Sequence, residues 1–517
     1  MTYLSMTERI EQLRERRADL VAGGGEKAVA KQHGQGKLTA RERIDELVDP
    51  HSFQEMAVFA EHRAQLFGMA DRRPPGDGVV VGQATVMGRL VHLASQDFTV
   101  LGGSSGEVHA EKMVTAAKAS LQTGSPLVLI NDSGGARVQE GIDSLHGCGR
   151  LFYHNVLLSG VVPQVTIIAG PCAGAAAYSP ALTDFVIQTQ QATVYITGPD
   201  VIRQVTGEEV THEELGGPSV HATRSGVVHF VAADDRQALL IAKKLLSFLP
   251  SNNTEDPPRL EHDGNVDPDE SLNSIIPDDP RKPFDVHEVI RRVVDDADFL
   301  EVHAGWAGNI VVGFGRVVGR TIGIIANQPM VMSGVLDINA SDKAAGFIRF
   351  CNAFNIPLLT LVDVPGFLPG IAQEYDGIIR HGAKMLFAYS SATVPKVTVI
   401  LRKAFGGGYV AMCGASMGAD RVFAWPSGEI AVMGAEGAAG IVFRRQISEA
   451  EDPEATREQL IAEYRDTFAN PYVACQHRLV DDVIVPADTR RYIAQVLEAQ
   501  ATKREMRPPK KHGLIPL

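Results

Sequence analysis

An internal repeat is the feature that most constrains how this chain of 517 residues can fold. Identical residue types recur in the two halves of the chain, 231 positions apart. The recurring pairs are Gly88 and Gly319, Arg89 and Arg320, Lys112 and Lys343, Pro126 and Pro357, Asp132 and Asp363, and Gly135 and Gly366. Further along, Val162-Pro163 returns as Val394-Pro395, one position later than this spacing predicts. Such a register indicates two copies of one fold and predicts two related binding sites.

Composition narrows the class of protein. The chain is long enough for two domains of roughly 230 to 250 residues, each with its own core. Its 44% hydrophobic and 21% charged residues are typical of a globular protein, and its net charge of −13 argues against binding of nucleic acid through phosphate neutralisation. The five cysteines form no C-x-x-C pair, so we expect neither a zinc site nor a disulfide framework, and no metal. No signal-peptide pattern and no run of 18 apolar residues is present, which predicts a cytoplasmic protein without membrane contact.

The order of elements predicts an α/β fold in both halves. Short apolar runs alternate with segments of helical spacing, which indicates parallel sheets flanked by helices. We expect a first domain at residues 1–255, a linker rich in proline and acidic residues at 256–284, and a second domain at 285–517. Residues 5–48 predict one or two amphipathic helices that pack as an arm on the first domain.

Two glycine-rich turns at matched places carry the strongest chemical signal. Gly170–Ala176 and Lys403–Tyr409 each follow a predicted buried strand and open a helix. Such a turn presents free backbone N–H groups, supported by the helix dipole, and can stabilise an oxyanion. One donor of this kind can contribute about 3 kcal/mol to a transition state. Close packing of a helix on a sheet through small residues would explain either turn alone, but the duplication favours a functional role.

Two further patterns allow alternative chemistry. Asp132 and Asp363 follow the middle strands and could form a carboxylate pair for acid–base catalysis, although an aspartate there is more often a turn or helix cap. The run Gly102, Gly103, Ser104, Ser105 and Gly106 matches the G-x-S-x-G nucleophile elbow and would make the protein a serine hydrolase. The residue equivalent to Ser104 in the second copy is Val335, which argues against this interpretation. The same loop could instead cradle a phosphate or pack against backbone.

Several long motifs resemble one enzyme family. They are DFTVLGGSSGEVHAEKM, INDSGGARVQEG, GPCAGAAAYSPALTDF, LVDVPGFLPG, RKAFGGGY and IAVMGAEGAAGIVFRRQ. Nearly the whole chain resembles the carboxyltransferase (β) subunits of biotin-dependent acyl-CoA carboxylases, those of the propionyl-CoA carboxylase type in particular. The resemblance implies two tandem crotonase-like domains, the first binding acyl-CoA and the second biotin. It also implies a hexamer, a dimer of trimers, and a partner α subunit with biotin carboxylase and biotin carboxyl carrier domains, so that biotin is not attached to this chain.

The resemblance also implies roles for particular residues. Gly174 and Ala175 would donate to the thioester oxygen of the acyl-CoA, and Gly407 and Gly408 to the biotin oxygen. Other substrate contacts are expected at Gly102, Gly103, Ser104, Ser105, Gly106, Tyr409 and Val410. The acyl-CoA enolate would attack CO2 released from carboxybiotin after the ureido group removes the α-proton, so no protein base is required.

The chain departs from the family pattern at both turns. The first has Gly-Ala in place of the commoner Gly-Gly, and the second Gly-Gly-Gly in place of Gly-Gly-Ala, changes that keep the backbone donors. Val410 stands where propionyl-preferring relatives have Asp, which favours acetyl-CoA or a longer acyl-CoA beside or instead of propionyl-CoA. The alternative within the same fold is a transcarboxylase or decarboxylase component that works without ATP. A non-catalytic scaffold would leave the two matched turns unexplained.

Overall fold

The computed structural model describes residues 4–517 and divides into two compact units, Met1–Glu255 and Asp256–Leu517. Each unit contains an eight-stranded sheet in its described residues. The first sheet has the order β1-β2-β3-β4-β5-β6-β8, with β7 paired to β5. The second has the order β9-β10-β11-β12-β13-β14-β16, with β15 paired to β13. The same topology therefore occurs twice, as the repeat predicts.

The first unit contains ten α-helices and eight strands within the described residues. Its strands are β1 Gln54–Met56, β2 Val79–Val86, β3 Arg89–Gln96, β4 Leu127–Ser133, β5 Gln164–Ala173, β6 Phe185–Thr189, β7 Thr193–Tyr195 and β8 Phe230–Ala232. Its helices are α1 Met6–Val21, α2 Glu26–Gly34, α3 Ala40–Leu47, α4 Glu107–Thr123, α5 Ile142–Leu158, α6 Tyr178–Ala181, α7 Pro199–Thr206, α8 His212–Gly216, α9 Pro218–Val220 and α10 Asp235–Phe248.

The second unit repeats the central part of this order. Its strands are β9 Leu300–Val302, β10 Ile310–Val317, β11 Arg320–Asn327, β12 Leu358–Val364, β13 Lys396–Phe405, β14 Arg421–Ala424, β15 Glu429–Ala431 and β16 Asp482–Val483. Its helices are α11 Val286–Val293, α12 Ile338–Ala353, α13 Ile371–Asp376, α14 Ile378–Ser391, α15 Gly406–Ala411, α16 Ala435–Val442, α17 Arg444–Glu449, α18 Pro453–Phe468, α19 Pro471–Gln476 and α20 Thr489–Ala499. None of the helices in residues 4–517 combines the length and the apolar character that a bilayer span needs.

The middle strands explain why both sheets are parallel at their centre. Every residue of β4 and of β12 is buried, as expected for strands covered on both faces by helices. Each pairs in parallel with the strands on both sides, β4 with β3 and β5, and β12 with β11 and β13. The first strands of each sheet are antiparallel and form hairpins. The carboxyl ends of the parallel strands therefore meet at one edge of each sheet, where ligand loops are usual.

The N-terminal arm differs from the prediction of one or two helices, since three helices form. Ser5 and Thr39 begin α1 and α3 with capping boxes that they complete with Glu8 and Glu42. Between α1 and α2 the chain makes a glycine turn, and a side chain at Gly24 would collide with the carbonyl of Thr99. The turn breaks the helical pattern because glycine alone fits it.

The proline-rich segment 256–284 packs along the second unit. The N–H of Leu260 donates to Gly319 O and that of Asp269 to Ala487 O, both at 3.0 Å. Leu272 is buried within the core of that unit. The segment is thus held to the second unit by backbone hydrogen bonds and by an apolar anchor.

Candidate active site

Each glycine-rich turn is reached through a bend in the strand before it. Strand β5 pairs with β6 over Val165–Ile168 and then with β7 over Pro171–Ala173. Strand β13 likewise pairs with β14 over Val397–Ile400 and then with β15 over Lys403–Phe405. Each strand therefore leaves its first neighbour and joins a second one immediately before the turn.

A β-bulge lies at each bend. Ile168 and Cys172 of β5 face Asn131 and Ser133 of β4, so the three residues 169–171 lie opposite Asp132 alone. In the second sheet Ile400 and Ala404 face Val362 and Val364, so 401–403 lie opposite Asp363. Bulges of this kind redirect a strand and are frequent beside active sites.

Residues 170–173 and 403–405, predicted to lie in the turns, are instead the ends of β5 and β13. Each turn itself begins with a glycine in the left-handed region. Gly174 has φ 62° and Gly406 has φ 56°, and the two residues are 232 positions apart. A residue with a side chain is strained in this conformation. Gly174 opens a short 3₁₀ helix that ends at Ala177, and Gly406 opens α15. The glycine thus lets a helix start directly at the end of a strand.

The amides that follow are free to bind an acceptor. The first N–H groups of a helix have no acceptor within that helix. Among the backbone hydrogen bonds of residues 4–517 that lie outside the helices and strands, none is donated by the amides of Gly174, Ala175, Gly407 and Gly408. Gly407 is exposed, and a Cβ at this position would be no closer than 3.7 Å to the Phe367 ring. Gly408 is buried against Gly366 and Val364, so the open side of the second turn is at Gly407. Helix-start amides beside open space are the arrangement that an oxyanion pocket requires.

The structural match between the turns differs by one residue from the pairs carried over from the family. Because Gly174 corresponds to Gly406, the counterparts of Gly407 and Gly408 are Ala175 and Ala176. Ala176 and Gly406 lie within the two predicted turns, but neither was predicted to be a donor. Their only advance signal was the 232-position offset, which could have been extended into the turns.

Asp132 is buried and surrounded by donors from the N-terminal arm. Lys37 Nζ lies 2.7 Å and Arg43 NH2 3.0 Å from Asp132 Oδ2, and Gln32 Nε2 donates to the same oxygen at 2.9 Å. Burial lowers the pKa of Lys37, while Asp132 acts in the opposite direction. The Asp132 carboxylate is thus paired with two basic side chains inside the protein.

Asp363 is engaged differently. Its Oδ2 lies 2.8 Å from Arg402 NH2, and its Oδ1 accepts the backbone N–H of Lys403 at 2.9 Å. Both carboxylates therefore have ion-pair partners, and the hypothesis that Asp132 and Asp363 act as an acid–base pair gains no support. No cluster of three or more His, Cys, Asp or Glu side chains in residues 4–517 is arranged to hold a metal ion.

The Gly/Ser loop packs against backbone. Gly103 lies so close to the carbonyl of Asp132 that any side chain would collide with it. The hydroxyl of Ser104 donates to Leu101 O at 2.8 Å and accepts from Arg137 Nε at 3.2 Å, so its partners do not include a histidine that could activate it. The nucleophile-elbow interpretation therefore has no geometric support.

The start of α4 is occupied by protein groups. Glu140 Oε2 accepts the N–H of Glu107 at 2.7 Å, and Arg137 NH1 donates to Glu140 Oε1 at 2.8 Å. The N–H of Ser105 donates to Gly135 O at 2.8 Å. A carboxylate of the chain itself thus takes the position where the loop Gly102–Gly106 could have cradled a phosphate.

Tyr409 and Val410 lie within α15, directly after Gly406–Gly408. The Tyr409 ring packs against Gly414, and burial raises the pKa of its hydroxyl. Val410 is half-buried. Both residues thus belong to the helix that carries the free amides.

Comparison with known proteins identifies the family of the chain. The carboxyl transferase domain family matches residues 31–515. The methylmalonyl-CoA carboxyltransferase 12S subunit of Propionibacterium freudenreichii subsp. shermanii is 61% identical over 99% of this chain and 98% of its own length. The propionyl-CoA carboxylase carboxyltransferase subunit of Haloferax mediterranei is 53% identical over 99% of this chain and 100% of its own length.

A solved structure extends the likeness to the fold. The transcarboxylase 12S hexamer with methylmalonyl-CoA and methylmalonic acid bound is 60% identical, with a TM-score of 0.98 over 100% of this chain and 99% of that one. The predicted crotonase-like fold and the predicted carboxyltransferase activity are thereby confirmed. With two matched amide turns in a duplicated fold, this chain belongs to the carboxyl transferase family.

Proposed function

We propose that this chain transfers a carboxyl group between biotin on a partner's carrier domain and the α-carbon of an acyl-CoA. The observation that carries the proposal is the pair of matched turns with free amides in a member of the carboxyl transferase family. The printed names of the relatives point to three-carbon chemistry, since one is a methylmalonyl-CoA and the other a propionyl-CoA enzyme. Propionyl-CoA and methylmalonyl-CoA are therefore the substrate couple that we propose first.

The first unit would act on the acyl-CoA. Loss of the α-proton places negative charge on the thioester oxygen, and the amides of Gly174 and Ala175 would hold that oxygen. Because these donors are fixed before the reaction, they stabilise the charge without reorganisation. One such donor is worth about 3 to 4 kcal/mol when it is aimed at the developing charge.

The second unit would act on biotin. Biotin, when bound, supplies a ureido group that carries the carboxyl group and accepts the α-proton. In residues 4–517 the amides of Gly407 and Gly408 donate no backbone hydrogen bond outside the helices and strands, and the ureido oxygen suits them as an acceptor. Asp363, close to this turn, is held by Arg402 and by the Lys403 amide.

We also propose a homohexamer, a dimer of trimers, in the cytoplasm, with a biotin-bearing α subunit as partner. A hexamer is the assembly of the 12S relative. Large apolar side chains support further association, because Val138 is 86%, Ile142 74%, Tyr375 85% and Ile379 78% exposed in the single chain. All five cysteines are free, which suits a reducing compartment.

A transcarboxylase is the second candidate. Both relatives cover nearly the whole length of this chain, and the 12S relative is the more similar of the two, with 61% identity against 53% for the propionyl-CoA carboxylase relative. In a transcarboxylase the carboxyl group on biotin comes from another carboxylated substrate, whereas in a carboxylase it comes from bicarbonate with ATP. The chemistry proposed for this chain is the same in both, so the partner distinguishes them.

The first test uses the chain alone with a small acceptor. Incubation with methylmalonyl-CoA and biotin methyl ester should yield propionyl-CoA, and omission of the biotin ester should lower the rate strongly. Failure to form propionyl-CoA from an oligomeric, folded sample would contradict the proposal.

The second test identifies the partner. A biotinylated subunit that co-purifies and supports carboxylation of propionyl-CoA with ATP and bicarbonate would establish the carboxylase. Transfer of the carboxyl group from methylmalonyl-CoA to a second acceptor without ATP, through the biotinylated partner, would establish the transcarboxylase. A panel of acyl-CoAs of increasing length in either assay would test the effect of Val410.

A further inference from the structure

A buried ion pair lies in the bulge before the second turn, and the proposed chemistry does not use it. Asp363 is 1% and Arg402 4% exposed. Arg402 NH2 lies 2.8 Å from Asp363 Oδ2, and Arg402 NH1 donates to Lys282 O at 2.9 Å. The guanidinium also lies 5.1 Å from the centre of the Phe284 ring. Arg402 is thus held on one side by the carboxylate and on the other by the segment before α11.

The Asp363 carboxylate fills a gap in the sheet. Residues 401–403 bulge away from the ladder opposite Asp363, so they lose regular partners on β12. Oδ1 of Asp363 accepts the N–H of Lys403 at 2.9 Å and so replaces a backbone acceptor. The N–H of Asp363 itself donates to Asn327 Oδ1 at 3.3 Å. One side chain therefore ties the bulge to β12, two residues before Phe405 and the turn.

The first unit has the same bulge with the cation in another place. Gly170 corresponds to Arg402, and a side chain at Gly170 would overlap Asp132 and Lys37. The positive charge is supplied instead by Lys37 and Arg43, and Arg43 NH2 also donates to Ala169 O at 3.2 Å. Two unrelated sets of side chains thus produce one arrangement, a buried aspartate neutralised inside the bulge.

This recurrence indicates a geometric requirement. Strand β13 changes its neighbour from β14 to β15 at the bulge, so the bulge sets the direction in which Gly406 and the amides after it point. Oxyanion donors are effective only when they are aimed at the oxygen that becomes charged. We propose that Asp363 and Arg402 are positioning residues that hold the bend of β13 and thereby aim the amides of Gly407 and Gly408. The inference rests on the proposed function of that turn.

A double variant separates positioning from stability. Removal of Asp363 alone would leave Arg402 buried without a counter-ion, which is strongly destabilising whatever the role of the pair. In Asp363→Ala with Arg402→Met both charges are gone and the methionine fills the space of the arginine stem. We expect the double variant to regain most of the thermal stability that Asp363→Ala loses. Its kcat for propionyl-CoA formation should stay about 10- to 100-fold below wild type, with the KM for methylmalonyl-CoA unchanged.

Asp295 and Arg490 provide a matched control in the same unit. Asp295 is 8% exposed, lies 2.5 Å from Arg490 NH2, and accepts the amides of Val318 and Gly319 in the β10–β11 hairpin. This pair touches neither the bulge nor the turn. Asp295→Ala with Arg490→Met should lower stability and leave kcat unchanged in the folded protein.

Hydrogen exchange gives a readout that does not need activity. The amides of residues 403–409 should exchange faster in the Asp363→Ala, Arg402→Met variant than in wild type, and at the wild-type rate in the control. Recovery of kcat together with stability, or unchanged exchange in 403–409, would overturn the positioning role. If wild type itself forms no propionyl-CoA, the proposed function fails, and the exchange rates alone decide this inference.

Discussion

Replacement of Gly406 by alanine should lower kcat far more than it lowers the stability of the fold. Gly406 has φ 56°, and an L-residue in this region costs about 1 to 2 kcal/mol. A Cβ there would also lie 2.9 Å from Val432 O, which is closer than real contacts, so the backbone must shift. The amides of Gly407 and Gly408 follow directly and would shift with it. Loss of alignment at one donor costs about 3 to 4 kcal/mol, which corresponds to a fall in kcat of about 10²- to 10³-fold.

Gly346→Ala is the matched control for this prediction. Gly346 lies within α12, is exposed, and has no atom within 4 Å of the position of a new Cβ. Alanine should therefore stabilise the protein by about 1 kcal/mol. The assay is propionyl-CoA formation from methylmalonyl-CoA with biotin methyl ester, with thermal unfolding measured in parallel. Wild-type kcat in Gly406→Ala would refute the reasoning, because the turn would then not need its left-handed glycine.

Three further predictions address charge, nucleophile and specificity. Burial lowers the pKa of Lys112 and of Lys343 from 10.5 to about 8. Between these two pKa values the unfolded chain binds a proton that the folded chain does not. The free energy of unfolding of wild type, relative to that of Lys343→Met, should therefore rise as the pH increases from about 8 to 10.5. A fall of this difference in denaturant titrations would contradict the prediction. Ser104→Ala should have the kcat of wild type, because the Ser104 hydroxyl only bonds Leu101 O and Arg137 Nε. Loss of activity in this variant, together with labelling of wild type by a fluorophosphonate, would support a hydrolase. Val410→Asp should shift kcat/KM towards propionyl-CoA over longer acyl-CoAs, by a factor of about four for each methylene that loses its apolar contact, and an unchanged ratio would remove Val410 from the acyl site.

Much of the fold could be predicted because the two halves keep residue identities in one register. Strands β3 and β4 begin 231 positions before β11 and β12, and β5 begins 232 before β13, which reproduces the spacing and the one-position shift of the sequence repeat. The glycine-rich turns were also predictable, since glycine at a strand end has a local conformational cause. The free amides follow from the start of a helix, which is again a local property.

The surroundings of the two aspartates could not be predicted. Lys37 lies 95 positions from Asp132 in the chain, and only the packing of the N-terminal arm brings their charges together. Gly170 and Arg402 hold equivalent positions in the two units. Gly170 leaves space beside Asp132 for the Lys37 side chain, whereas Arg402 is itself the cation beside Asp363. Likewise nothing local indicated that Glu140 would occupy the start of α4. Ion pairs of this kind depend on which distant segments pack together, and the periodicity of apolar residues in the sequence does not predict them.

The third helix of the arm was missed for a related reason. The three glycines at 23–25 interrupt the apolar spacing of residues 5–48, and the reason that the chain turns there is the close approach of Gly24 to the Thr99 carbonyl. A glycine within a helical pattern lowers helix propensity but does not by itself end a helix.

The most direct test of the account is the vibrational frequency of the thioester carbonyl in the bound state. Infrared difference spectra of propionyl-CoA labelled with ¹³C at the carbonyl should show a lower stretching frequency on the protein than in solution, because the amides of the first turn polarise the C=O bond. In Gly174→Ala, where the left-handed glycine with φ 62° is lost, the frequency should return towards the solution value. A carbonyl band at the solution frequency on the wild-type protein, with saturating ligand, would contradict the central claim.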